Sequence, residues 1–359
     1  MEVYYIIAIV PWLACLIAKT ISPGNEIHYR RIFILLIYAI LLFFAGFRSP
    51  EVGGDLTRYL PEFNRMPNES FGDILLNAWD FRQREFGFAL LEKTISALSF
   101  DDSGYIFIIA QLILTIYLAA IYKYSEHLFV GVLLFVLYLY TCSFNILRAS
   151  IAMALCLYSF QYIVKRDFKK YLLLIFLAFT IQKTSLFFFP AYYLYGRKLH
   201  IKSILIVLAV TLLISLKLSG SELANLAERY FSMFYMSDDY LNNTSSGLSN
   251  VSYLQIVLIL LGLFIYKYCR VEDKVYVFFI YMMVVAAIIQ FFSPIFTLLT
   301  RISGFYFNFV ILYIPYLFKY LGKYDRWAFL SFSVAIFYAL YFITLDKDVH
   351  AIVPYKFNF

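Results

Sequence analysis

The sequence predicts an all-α polytopic integral membrane protein of about 11–12 transmembrane helices, with large external loops that carry short amphipathic helices. Three observations carry that expectation. Of 359 residues, 63% are apolar and only 15% charged, more apolar surface than a water-soluble domain can hide. The apolar residues gather in runs of roughly 16 to 20, the length at which a helix crosses a hydrocarbon layer. Aromatic residues reach 21%, mostly 39 Phe and 33 Tyr, which suits lipid-facing helices with interfacial belts. Within the bilayer every backbone polar group must be satisfied internally, so strands are excluded unless they close a barrel.

Taken in order, the expected spans are 3–19, 31–47, 104–122, 128–144, 147–163, 203–218, 251–268, 275–293, 303–322 and 327–345. The first lacks a charged n-region and an A-x-A exit, so it reads as a retained span. The stretch 171–196 is interrupted by Gln182, Lys183, Thr184 and Ser185, followed by Pro190, and closed by Arg197, Lys198 and Lys202. It reads as a broken helical hairpin, two short half-spans meeting at a polar tip. The whole of 1–359 forms one transmembrane domain on this reading.

Orientation follows from Lys and Arg in the short connections, which are retained on the cytoplasmic side. With the N-terminus outside and 171–196 as a hairpin, seventeen cations and six acids lie on the cytoplasmic face, a net +11. The outer face then carries thirteen cations and seventeen acids, a net −4. A single crossing at 171–196 would invert everything after it and put Arg197, Lys198, Arg270, Lys274, Lys323 and Arg326 outside.

Two large segments stand outside the bilayer on the external side. The first, 48–103, carries ten acids and six cations. The second, 219–250, has Leu223, Leu226, Ala227, Tyr230, Phe231 and Phe234 at helical spacing, a pattern for a helix lying in the interface. Cys15, Cys142, Cys156 and Cys269 fall in or at the ends of apolar runs, which disfavours a disulfide framework or a zinc knuckle.

Arg148, Lys183 and Arg301 sit in or beside short polar breaks on the external side, where retention of positive charge does not place them. A cation at the end of a membrane helix is costly unless it snorkels or pairs, so these positions are functional candidates. Arg48 and Arg58 join them from the first loop. An arginine cluster at a membrane surface grips a phosphate or diphosphate through bidentate hydrogen bonds, which lysine matches only as a point charge. Between Arg48 and Tyr59, Gly53 and Gly54 permit a tight turn that would hold Asp55 at the membrane face beside Arg58. Glu85 opens a second candidate site in Glu85-Phe-Gly-Phe. His28, His127 and His200 fall on the cytoplasmic side, so an outward general base must be a carboxylate, with Asp55 and Glu85 leading. A metal site, a cofactor and nucleotide-driven transport find no motif, and the spread of the positive face over short membrane-flanking loops argues against nucleic-acid binding.

The order Phe47-Arg48, Gly53-Gly54-Asp55 with Tyr59, Glu85-x-Gly87, Asn145-x-x-Arg148 with Ile151-Ala152, Lys183-Thr184-Ser185, then Arg301-Ile302 with Tyr306 and Pro315 resembles the EpsG family of Wzy-type polysaccharide polymerases. The likeness runs from about residue 40 to residue 315. It departs at Gln182, where members of the family often carry a histidine.

The resemblance implies a bacterial inner-membrane glycosyltransferase that joins undecaprenyl diphosphate-linked oligosaccharide repeat units into O-antigen, capsule or exopolysaccharide. Its active site would face the periplasm or outside. A separate flippase would deliver the donor and acceptor, and a chain-length regulator is a further expected partner. The residues are compatible with it. A diphosphate leaving group needs charge stabilisation more than a general acid, which Arg148, Arg301 and Lys183 would supply. The acceptor hydroxyl needs one proton removed, which falls to Asp55 or Glu85. The catalytic set is therefore Arg148, Arg301 and Asp55, with Arg48, Arg58, Lys183, Glu85 and Tyr59 as diphosphate or sugar contacts. Inversion at the anomeric carbon is the simpler expectation without an evident covalent nucleophile. Trp79, Tyr230 and Tyr235 are candidates for sugar stacking or, more simply, interface anchoring. Two rival classes are a flippase or transporter of lipid-linked sugars, which would show repeats and mid-membrane polar residues, and a membrane O-acyltransferase of surface glycans, which would want an outward histidine.

Overall fold

A computed structural model describes residues 1–76, 85–217, 248–294 and 298–358. The chain opens with α1 (Glu2–Ile21) and α2 (Glu26–Gly46), then enters the loop region through α3 (Leu56–Phe63), α4 (Phe71–Leu76) and α5 (Phe86–Ala97). There follow α6 (Asp102–Tyr124), α7 (Leu128–Phe135), α8 (Leu147–Tyr158), α9 (Phe160–Val164), α10 (Phe168–Ile181), α11 (Ala191–Leu194) and α12 (Ile201–Lys217). The last helices are α13 (Asn250–Tyr268), α14 (Lys274–Phe291), α15 (Leu298–Phe307), α16 (Val310–Leu317) and α17 (Lys323–Asp346). Polar side chains set several starts: Asn25, Asp101, Asp167, Ser249 and Asp273 each accept a backbone N–H of the first turn. Among the described residues no strand forms, and eight helical stretches are long and apolar enough to cross a membrane. The protein is an all-α, multi-pass membrane protein.

Three expected spans are broken where polar or helix-disrupting residues fall. The span expected at 128–144 is α-helical only to Phe135, widens into a π-turn over Val136–Tyr140 and tightens to a 3-10 turn over Cys142–Phe144. Such turns mark places where the ladder is re-aimed. The span at 147–163 is interrupted at Ser159, and that at 303–322 between α15 and α16 at Asn308 and Phe309. The interfacial helix expected from Leu223 to Phe234, with Trp79, Tyr230 and Tyr235, lies outside the described residues.

The chain divides into two compact units. The first comprises Met1–Leu76, Phe86–Ala154 and Ile314–Phe359. Here α1 turns Ala8, Ala14 and Ala18 inward, and small residues let helices approach closely in a bilayer. Along α17, Phe329, Ser333, Phe337, Tyr341 and Leu345 recur every four residues as its buried seam. Tyrosine hydroxyls tie the two: Tyr338 donates to the Ala8 carbonyl at 2.8 Å and Tyr341 to the Tyr4 carbonyl at 2.9 Å. Leu13, Leu16, Leu35 and Phe332 point outward, the faces that lipid covers.

The second unit comprises Asn77–Glu85 and Leu155–Tyr313. Within it, residues 168–194 fold back on themselves. The Tyr171 hydroxyl, near the start of α10, donates to the carbonyls of Phe188 and Phe189 at 2.8 and 3.1 Å. Arg166 donates to the Tyr192 carbonyl at 2.8 Å, and the rings of Phe168 and Tyr192 lie 5.0 Å apart. The chain therefore turns at Gln182–Phe188 and returns beside its own entry. An aromatic core of Phe160, Phe188, Phe278, Phe279 and Phe309 holds this hairpin to α14 and to the break that follows α15.

Candidate active site

The site in the first unit begins with a turn that only glycine fits. Gly53 has φ +109°, and a Cβ there would be driven into the Phe144 carbonyl oxygen. Its N–H donates to the Ala351 carbonyl at 2.9 Å. Two residues on, the chain is held from the other side, as the Asp55 N–H donates to Asn145 Oδ1 at 2.9 Å. The Gly-Gly-Asp turn is thus clamped between the 142–145 turn and the C-terminal segment, and α3 starts with Asp55 fixed at its N-terminus.

Asp55 does not cap α3 with its side chain. Its Oδ2 instead accepts from the Tyr59 hydroxyl, one helical turn on, at 3.3 Å. The same hydroxyl accepts from Arg148 Nε at 2.8 Å. The guanidinium lies over the Tyr59 ring at 5.0 Å and over the Phe88 ring of α5 at 5.9 Å, a double cation–π platform. Arg148, Tyr59 and Asp55 form one chain of charge-assisted contacts that joins α8 to the N-terminal end of α3.

Arg148 occupies the first turn of α8, because the π- and 3-10 turns before it end the preceding helix at that level. The partial positive charge of a helix N-terminus opposes a cation there. Guanidinium and free N–H groups together favour an anion instead. The half-buried Asp55 gains from the N-terminus of α3 by the same physics.

Arg48, expected as a substrate contact, lies elsewhere. It is 2% exposed, donates from Nε to the Val52 carbonyl at 3.3 Å and from a terminal nitrogen to the Ala45 carbonyl, and covers the Phe144 ring at 4.7 Å. Burial pushes its pKa down to about 10, which leaves it a cation at neutral pH. It braces the turn from beneath. Arg58 is exposed on α3, away from the buried face formed by Leu56, Tyr59, Leu60 and Phe63.

In the second unit, Glu85 is buried and its Oε1 accepts from the Lys183 backbone N–H at a long 3.4 Å. This carboxylate therefore holds the tip of the hairpin. At the tip Gln182 donates to Thr184 Oγ1 at 3.2 Å. Tyr306 of α15 donates to the Phe187 carbonyl at 2.6 Å, so the element carrying Lys183 rests on the helix carrying Arg301. Arg301 is half-buried.

Sequence reasoning missed Phe88, Tyr105 and Glu92. The one signal available was a glutamate in the apolar run of α5 (Phe86-Gly-Phe-Ala-Leu-Leu-Glu92), seven residues after Glu85. Among the described residues no group of His, Cys, Asp and Glu is placed to hold a metal ion.

The fold is that of an all-α multi-pass membrane protein, and it sets an arginine and a carboxylate at the ends of its helices. A family model described as the EpsG family matches residues 31–357, and the chain belongs to that family of polysaccharide polymerase-like membrane proteins. No curated protein and no solved structure matches.

Proposed function

We propose that the protein is a glycosyltransferase that polymerises undecaprenyl diphosphate-linked oligosaccharide repeat units into O-antigen, capsule or exopolysaccharide, at the outer face of a bacterial inner membrane. The observation that carries this reading is the Asp55–Tyr59–Arg148 chain at the N-terminus of α8. In the reaction an acceptor hydroxyl attacks the anomeric carbon of the donor. The new glycosidic bond forms as the bond to the diphosphate oxygen breaks, and the acceptor proton passes to the Asp55 carboxylate. Negative charge grows on the departing lipid diphosphate, where Arg148 meets it. One carboxylate suffices, because a diphosphate leaves without general-acid help.

The Tyr59 hydroxyl fixes the distance between base and cation, since it bonds both. Lys183 and Arg301, on touching elements of the second unit, supply further positive charge for the anionic substrates. A flippase that delivers the lipid-linked units and a regulator of chain length complete the set of partners.

Arg148→Ala tests the reading. It should abolish long-chain polymer while single-repeat material and membrane insertion persist; wild-type chain lengths would remove the mechanism. A purified protein that lengthens lipid diphosphate-linked glycan alone separates polymerase from transporter and O-acyltransferase.

A further inference from the structure

The first unit buries a carboxylate for which the reaction above has no use. Glu92 is 0% exposed in the middle of α5, and its Oε1 accepts from the Tyr105 hydroxyl of α6 at 3.1 Å. A stack of two rungs ties it to the site. In the first rung the Tyr59 ring lies 5.5 Å from Phe88, with the Arg148 guanidinium over both. One turn further along α3 and α5 come Phe63 and Glu92. Here Phe63 stacks on Tyr105 at 4.5 Å, and Tyr105 in turn holds Glu92.

Residues four apart share a helix face, so Glu92 adjoins the ring on which Arg148 rests. A fully buried carboxylate touches neither glycan nor diphosphate. Its field is nonetheless poorly screened, because water and salt are kept away.

Charge balance gives that field a purpose. Breaking the glycosyl bond converts a diphosphate with two ester links into one with a single link, so the product carries more negative charge than the donor. A guanidinium at a helix N-terminus would hold that product tightly and delay the next round. Resting on the polymerase reading of the Arg148 site, we propose that Glu92 is a positioning residue that acts through Arg148. Its buried negative charge lowers the affinity of that site for an anion and lets the lipid diphosphate product leave.

The test is equilibrium binding of undecaprenyl diphosphate to the full-length protein in lipid nanodiscs. Glu92→Gln keeps an acceptor for Tyr105 and removes the charge, so binding should tighten by about tenfold. Glu92→Asp keeps the charge and should bind within about twofold of wild type. In an Arg148→Ala background, Glu92→Gln should change nothing further.

Unchanged affinity in Glu92→Gln would overturn the inference and leave the polymerase reading intact. Equal tightening in Glu92→Asp, or tightening that survives loss of Arg148, would also overturn it. If Glu92→Gln does not assemble, the Asp variant decides: wild-type affinity supports the inference and tighter binding sinks it. A wild-type protein that fails to bind undecaprenyl diphosphate would refute the polymerase reading itself.

Discussion

Arg148 Nε donates to the Tyr59 hydroxyl at 2.8 Å, and that hydroxyl reaches Asp55 Oδ2 at 3.3 Å, so a single oxygen couples the candidate base to the candidate diphosphate cation. Tyr59→Phe removes that oxygen and leaves the ring against Phe88. A hydrogen bond to a charged group is worth about 1.5–3 kcal/mol, so turnover should fall by roughly ten- to a hundredfold with unchanged thermal stability in detergent. Assay of repeat-unit incorporation by the purified variant checks it. A large loss of stability with unchanged turnover per folded molecule would show that the hydroxyl only braces the loop.

Arg148→Lys keeps the charge at this point and loses the geometry. A planar fork can bond Tyr59 through Nε while its terminal nitrogens face a diphosphate, whereas an ammonium gathers its three donors on one atom, cannot span both partners in that way and sits less well on the Phe88 and Tyr59 rings. The expected activity is within a few-fold of Arg148→Ala and about a hundredfold below wild type. Chain-length analysis on gels, beside a binding measurement with undecaprenyl diphosphate, reports it. Near wild-type polymer from the lysine variant would mean that only net charge matters.

Two glycines with positive φ make an internal control for the turn that carries Asp55. At Gly53 (φ +109°) a methyl group meets the Phe144 carbonyl, while at Gly24 (φ +75°) it meets nothing within 4 Å. Gly24→Ala should cost about 1 kcal/mol from backbone strain alone. Gly53→Ala adds a clash with main chain that cannot swing aside, on the order of 3 kcal/mol in all, and displaces Asp55 from Asn145. Thermal unfolding and polymer yield should both separate the pair, with Gly24→Ala close to wild type in activity.

The all-helical membrane fold was legible because the bilayer imposes run length and composition, and Gly53, Asp55, Tyr59 and Arg148 were legible because polar residues at helix ends are conspicuous in so apolar a chain. What the sequence hides is which turn lies against which. Arg48 reads like Arg148, a cation at the end of a span, but residues 348–358 fold back over it and bury it. Glu85 reads as an outward carboxylate, whereas its partner is the Lys183 backbone, 98 positions away. Glu92 and Tyr105 become a pair only when α5 packs on α6, and neither carries a local pattern that announces it.

The fold-back of the C-terminal segment gives the last prediction. Asp348 Oδ1 accepts from the N–H groups of Ile352 and Val353 at 2.7 and 3.1 Å, which makes the turn after α17 and aims the segment at the site loop. From that turn, the Ala351 carbonyl takes the Gly53 N–H at 2.9 Å, the Lys356 carbonyl takes the Ser49 N–H at 2.8 Å, and the Asn358 N–H reaches the Phe47 carbonyl at 3.0 Å. Three backbone bonds therefore pin residues 47–53 from one side, while Asn145 and the 142–144 turn hold Asp55 from the other. Asp348→Ala takes away the one oxygen that accepts both N–H groups of the turn, a loss of about 1–3 kcal/mol, without touching any group proposed to meet substrate. Because the helices of the first unit do not depend on that turn, membrane insertion should survive. The 48–55 loop should become more sensitive to protease and faster in amide exchange, and polymerisation should drop several-fold, with the larger effect on turnover. Equal protection of the loop in wild type and variant would show that the segment merely lies over the site and does not hold it.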